Sequence, residues 1–306
     1  MNDLAPVTAK DVTNAIREAA MLAYVSIGSW SATERDDDLM EEVKKNHNAS
    51  GDVGTVIKFL MTGADSKLKQ VRASYQAVRN HHYKLTLPWV VDPSSPSQKG
   101  PRLLPHLLYN KYVTEVSAKR REALSVLDEF LIDYPRLAGV AQQQLGSMVS
   151  ASSYPSVDDL KKRFRLHVDF QPIPDSSGFS GLDQHMLERL SKNLARKQAL
   201  QATDAMQVVW VRARERITTL AERMKLETPD EKKKFKEATI ENVRELLTLL
   251  PGWNVTGSPL VTEITNDIEQ MLEGIDGTVV RSSPAARSAT ADAAEKILQK
   301  LQSWGI

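Results

Sequence analysis

Leu187, Leu190, Leu194, Ala202, Ala205, Val209, Ala213, Leu220 and Met224 recur at helical spacing between Asp183 and Leu226. No other feature constrains the chain as much. An apolar face that keeps the 3.6-residue period over so many turns predicts one very long helix. The small residues in its middle admit close approach by another helix, as in a coiled-coil seam. A second long helix is expected from near Leu104 to Tyr134, with Tyr109, Val113, Val116, Leu124, Leu127 and Leu131 on one face. Pro135 should break or restart it, because proline lacks a backbone donor and its ring crowds the preceding turn.

Shorter signals fill the rest. Thr8 and Asp11 form a candidate capping box for a helix over 8–24, and Val25 to Trp30 alternates like a strand. Asp36-Asp37-Asp38 precedes Leu39, Met40 and Val43, so the acidic run suits the positive end of a helix dipole. A helix over 64–80 should be followed by a strand-like run from Leu85 to Val91, limited by Pro88, and by a turn-rich loop from Asp92 to Pro101. Tyr154 to Leu160 reads as a cap and short helix ending in the basic run Lys161-Lys162-Arg163, and Leu166 to Phe170 as a third strand. Thr228-Pro229-Asp230-Glu231 is a helix start whose helix should end at Leu250-Pro251-Gly252, and Ser258-Pro259 opens another. Residues 276–292 are rich in Ser, Thr and Ala and are expected to lack regular structure in part, before a last helix over 291–304. The expectation is an α+β, predominantly α fold: two long antiparallel helices, a small antiparallel sheet and a C-terminal helical bundle. Residues 1–182 form the N-terminal α+β region and 183–306 the helical region, intertwined as one unit.

Composition narrows the function classes. Forty basic residues against thirty-nine acidic ones among 306 leave no bulk field for nucleic acid or membrane. Cysteine is absent, which removes disulfides, thiolate nucleophiles and zinc–thiolate sites together. The opening residues lack a basic stretch before an apolar core, and the uncharged run from Leu137 to Val157 carries Gln142-Gln143-Gln144. A cytoplasmic protein without a membrane segment is the expectation.

Reactive groups do not assemble into a motif, so no catalytic, cofactor or metal residue is assigned and the chain is read as no enzyme. His81 and His82 are adjacent and so do not face one another, and no further ligand at metal-binding spacing lies nearby. Glu34, Asp36, Asp37, Asp38, Glu41 and Glu42 could gather Mg²⁺, but they also suit a solvated helix start with Arg35 and Lys44 as partners. Gly51 and Gly54 match no phosphate-loop pattern. The basic runs Lys119-Arg120-Arg121, Lys161-Lys162-Arg163-Phe164-Arg165 and Lys232-Lys233-Lys234 are candidates for phosphate contact, the second with an interleaved aromatic. Lys161, Lys162, Arg163 and Arg165 are the residues chosen for that role. Trp30, Trp89 and Leu104 are expected to pack together, and Trp304 to anchor a partner.

Ser29-Trp30-Ser31, His82-Tyr83, Leu87-Pro88-Trp89 and Arg102-Leu103-Leu104-Pro105, in that order, resemble a bacterial and phage family, the domain of unknown function "three-one-five-zero". Tyr154-Pro155, Val168-Asp169-Phe170 with Pro172-Ile173-Pro174, and Asn242-Val243-Arg244-Glu245-Leu246 extend the resemblance over residues 20–300. One departure stands out: Ala32-Thr33-Glu34 occupies the turn where the family pattern has a glycine and basic residues. The resemblance implies a phage-encoded accessory component working beside MoxR- or CobS-like AAA+ ATPases. The expected function is therefore a non-enzymatic interaction protein that self-associates or docks to such an ATPase, with His82, Tyr83, Trp89, Arg102 and Trp304 as its interaction surface. The alternative is a nucleic-acid-binding factor in phage replication or recombination; a metal-dependent hydrolase built on the acidic cluster is the third reading.

Overall fold

Ala20, Met21, Leu22 and Ala23 favour helices by local propensity, yet they lie in a strand. The reason is pairing: Ala20 to Ala23 run antiparallel to Pro105 to Arg102, so a partner far along the chain overrides the local preference. In this computed structural model, which describes residues 9–61, 66–89, 100–175, 181–225 and 237–306, helix α1 (Ala9–Ala19) ends where strand β1 (Ala20–Gly28) begins. The fold is α+β and mostly α, 71% helix with a small four-stranded antiparallel sheet. The sheet order is β4 (Leu87–Pro88), β5 (Arg102–Pro105), β1 and β6 (Arg165–Gln171). A separate two-stranded sheet pairs β2 (Thr33–Arg35) with β3 (Ile57–Phe59).

Two expectations near the sheet are corrected. Helix α3 (Ser66–Leu85) absorbs His81 to Leu85, leaving two residues of strand before Trp89. Arg102 to Pro105 forms β5 rather than the head of a helix. The long helix α4 (Tyr109–Leu145) begins only after a 3-10 turn, His106–Leu108. It also runs through Pro135 unbroken. Leu131, Tyr134, Leu137 and Ala141 are buried on both sides of that proline, and their packing offsets the lost backbone bond. The candidate cap Thr8, the loop over 92–99 and the start at Thr228-Pro229-Asp230-Glu231 lie outside the described residues.

The chain gathers into two compact units. Residues 1–24, 83–111 and 169–306 make the first, and the expected division at residue 182 falls inside it. Here α6 (Gln184–Met224) packs on α1, on α7 (Ala238–Trp253) and on α10 (Pro284–Ser303), with α8 (Pro259–Leu272) against α7 and α10. Ala202, Ala205, Val209 and Ala213 are all buried here. The small-residue seam is thus filled by helices of the same chain. The stretch expected to be partly irregular holds α9 (Gly277–Ser282), capped by Asp276, and α10, capped by Ser283 with Pro284 at its first turn. A Cβ at Gly252 would stand 2.6 Å from Leu108 Cγ, so this close approach requires glycine.

Residues 25–82 and 112–168 form the second unit. Its core is a chain of rings, edge-on except for the tilted Tyr134–Phe130 contact. Trp30 meets Tyr134 at 5.7 Å, Tyr134 meets Phe130 at 5.9 Å, Phe130 meets Phe164 at 6.0 Å and Phe164 meets Tyr75 at 6.2 Å. Burial pushes the Tyr75 and Tyr134 hydroxyls up to about 12. Trp30 therefore serves this core, while Trp89 and Leu104 are core residues of the first unit. Helices α2 (Asp37–Asn46) and α5 (Val157–Arg163) complete the unit, capped by Asp36 and Ser156.

Candidate functional site

Thr86, which follows the last residue of α3, is the centre of the first unit's polar interior. Arg102 Nε donates to Thr86 Oγ1 at 2.7 Å and its Nη2 to Thr86 O at 3.2 Å, while its guanidinium lies 4.5 Å from the Tyr83 ring centroid. Arg212 of α6 donates to Tyr83 O at 3.0 Å and to Thr86 O at 3.4 Å, and stacks over the Trp253 ring at 4.8 Å. Carbonyls at a helix C-terminus carry partial negative charge, so they suit a cation. Burial, followed by the nearby Arg102, pushes the Arg212 guanidinium down to about 10, which leaves it charged at neutral pH. Lys84 adds an ion pair with Glu245.

This arrangement corrects the expected interaction surface. His82, Trp89 and Arg102 are only 2%, 5% and 5% exposed. His82 Nδ1 is bonded to Tyr112 Oη at 2.8 Å. His82, Trp89 and Arg102 are thus interior residues, and Tyr83 is half-buried. The physical cause is that α3 extends past His82 and turns the string inward. Trp304 is half-buried as well: Trp210 packs edge-on to it at 6.4 Å and Lys300 lies 5.7 Å above its ring.

An open cleft of about 530 Å³ lies in the second unit, lined by Glu34, Asp36, Asp38, Glu42, Lys58 and Ser153 among others. Asp36 accepts from the Leu39 backbone at 3.0 Å as the α2 cap. That bond, and then Lys58, hold its carboxyl below the usual aspartate range. Lys58 Nζ stands 3.3 Å from Asp36 and 3.6 Å from Glu34, and donates to Met148 O at 3.0 Å. Ser153 Oγ donates to Glu34 at 2.9 Å. The positive charge among these carboxylates is thus the chain's own ammonium. Among the described residues no group of three or more His, Asp or Glu is arranged to hold a metal ion.

Period-2 alternation explains Lys58. Its neighbours Ile57 and Phe59 point away from the acidic side and are 51% and 67% exposed. The apolar–basic–apolar triplet is the local signal for this strand. Arg212 carries no comparable sign, since its hydrogen-bond acceptors lie more than 120 residues away.

Lys161, Lys162, Arg163 and Arg165 are all exposed. Lys162 is tied to Asp159 at 2.8 Å, while Lys161, Arg163 and Arg165 make no ion pair with a described residue. Phe164 between them is buried against Tyr75 and Phe130, so it offers no stacking platform. In the first basic run, Lys119 pairs with Glu122 at 2.7 Å and Arg120 donates to Leu166 O at 3.2 Å. Lys232-Lys233-Lys234 lies outside the described residues.

At the turn after Trp30, Arg72 donates to Trp30 O at 2.9 Å and to Ser31 O at 2.7 Å. Ala32 follows with φ +55°, the left-handed region that glycine favours. A glycine at this position would meet this demand without strain. No described helix is long and apolar enough to cross a membrane. Comparison with family models, with curated proteins and with solved structures finds no match to this chain.

Proposed function

We propose that this chain is a non-enzymatic accessory protein that docks a protein partner through the outer face of β3. The observation that carries this reading is the exposure of Ile57 and Phe59 side by side on a strand whose described pairing is to β2 alone. An aromatic and a β-branched anchor beside a strand edge suit an extended segment, which gains ladder bonds and two apolar contacts. The family resemblance supports a bacterial cytoplasmic setting with a phage-encoded chain, and it makes a MoxR- or CobS-like AAA+ ATPase the first partner to test. Self-association is the other occupant of the same face. Complexes isolated from expressing cells and identified by mass spectrometry should lose the partner when Ile57→Ser and Phe59→Ser are combined. Folding stability should stay within about 0.5 kcal/mol, as for exposed substitutions. Full retention of the partner by the folded double variant defeats the reading.

A second reading, nucleic-acid binding by the second unit, is favoured by the exposed cations Lys161, Arg163 and Arg165, which make no ion pair with a described residue. On this reading, changing these three to Glu should weaken the binding to nucleic acid that wild type shows at low salt.

A further inference from the structure

We propose that α6 carries a polyanion site of its own, a ridge of Arg189, Lys192 and Arg196 that holds the phosphate backbone of a nucleic acid. The three residues are spaced at i, i+3 and i+7, which puts them in one row along a helix face over about 10 Å. All three are exposed, and none makes an ion pair or hydrogen bond with a described residue. Several helical cations are neutralised within one turn: Lys44, Arg136, Lys162 and Arg244 each pair with a carboxylate three residues earlier, and Lys119 with one three residues later. On the ridge those earlier positions hold Met186, Arg189 and Asn193. The segment's single glutamate, Glu188, accepts from Gln184 at 3.4 Å rather than meeting Lys192. Lys197, also exposed, extends the positive character at one end.

An uncompensated row of cations is what a phosphate backbone recognises. About 10 Å of ridge matches roughly three phosphates of one strand at 3.4 Å each. Such contacts fix position and affinity without reading sequence. An anionic membrane fits less well. Leu187, Leu190 and Leu194 lie on the opposite side of the helix and are half-buried, so they are not directed with the cations toward one surface. Met186 and Leu200 are exposed near the ridge but stand about 21 Å apart along the helix axis, giving no continuous apolar strip. Nothing in this inference rests on the β3 docking face or on Lys161, Arg163 and Arg165.

The test uses the full chain and fluorescein-labelled mixed-sequence DNA, single-stranded and duplex, with anisotropy read across a salt series. Wild type should bind both, and affinity should fall steeply with salt. Combining Arg189→Glu, Lys192→Glu and Arg196→Glu should weaken binding by about tenfold or more and flatten the log–log salt slope by about 2 to 3. The Gln triple variant should show the same direction with a smaller loss, while thermal melting stays at the wild-type value for both. Lys161→Glu with Arg163→Glu and Arg165→Glu should leave the α6-dependent binding in place. The inference is overturned if wild type binds no DNA at low salt, or if the ridge variants bind like wild type. Loss confined to the Lys161 variant moves the site to the second unit and overturns it too. Ridge-dependent binding to phosphatidylserine vesicles without DNA binding replaces nucleic acid by membrane.

Discussion

The polar centre at Thr86 and the cleft around Lys58 use charge in opposite ways. At Thr86, Arg102 and Arg212 converge on a hydroxyl, on carbonyls at the end of α3 and on the faces of Tyr83 and Trp253. Burial makes every one of those contacts matter, because a buried polar group left unpaired costs more than an ordinary hydrogen bond contributes. At Lys58 the same kind of charge meets Asp36 and Glu34 beside an open cleft, where water screens ion pairs down to small net values. The lesson is that the residues most distinctive in the sequence, His82 to Trp89 with Arg102, mark where the fold is fastened. The exposed apolar pair Ile57 and Phe59 and the exposed cations of α6 lie where the sequence looks ordinary.

The comparison breaks first at Trp89. If this region is interior scaffold, Trp89→Ala should cost about 3–5 kcal/mol, the penalty for deleting a buried aromatic, as read by denaturant unfolding. A stable Trp89→Ala protein would return residues 81–105 to the surface and defeat the contrast. Arg212→Met tests the cationic half of the centre while keeping much of the volume. It leaves Tyr83 O without the Arg212 donor and should destabilise by about 1–3 kcal/mol, measured as a lowered urea midpoint. An unchanged midpoint would place Arg212 with the screened surface charges.

In the second unit the expected effects are smaller, and one is favourable. Ala32→Gly relieves a left-handed alanine and should stabilise by about 1 kcal/mol, since the strain removed exceeds the entropy lost; a lower melting temperature would contradict the strain. The smallest effect concerns acid. Asp36 has its carboxyl held low by the Leu39 backbone and Lys58, so its charge contributes stability above the ordinary aspartate value of 3.8. That contribution disappears as pH falls through the lower folded value. Asp36→Asn keeps a helix cap but loses the charge. Wild type and variant should therefore differ at neutral pH and converge in acid; parallel melting curves down the whole pH range would remove Lys58 and the cap from the account.

Much of the helical framework was legible because its signals are local. The stripe from Leu187 to Met224 gave α6, the acidic run at Asp36 marked the start of α2, and Leu166 to Phe170 gave β6. The same periodicity identified Ala205 as a contact residue without saying whose contact it was. Only tertiary structure decided that α1, α7 and α10 fill that seam within the chain. Likewise Ala20 to Ala23 and Arg102 to Pro105 become strands by pairing with each other across some eighty residues, a long-range choice that local propensity cannot encode. Spacing along the chain fixes which residues share a face. What that face meets depends on distant segments, and so the inward turn of His82, Trp89 and Arg102 had to come from the fold itself.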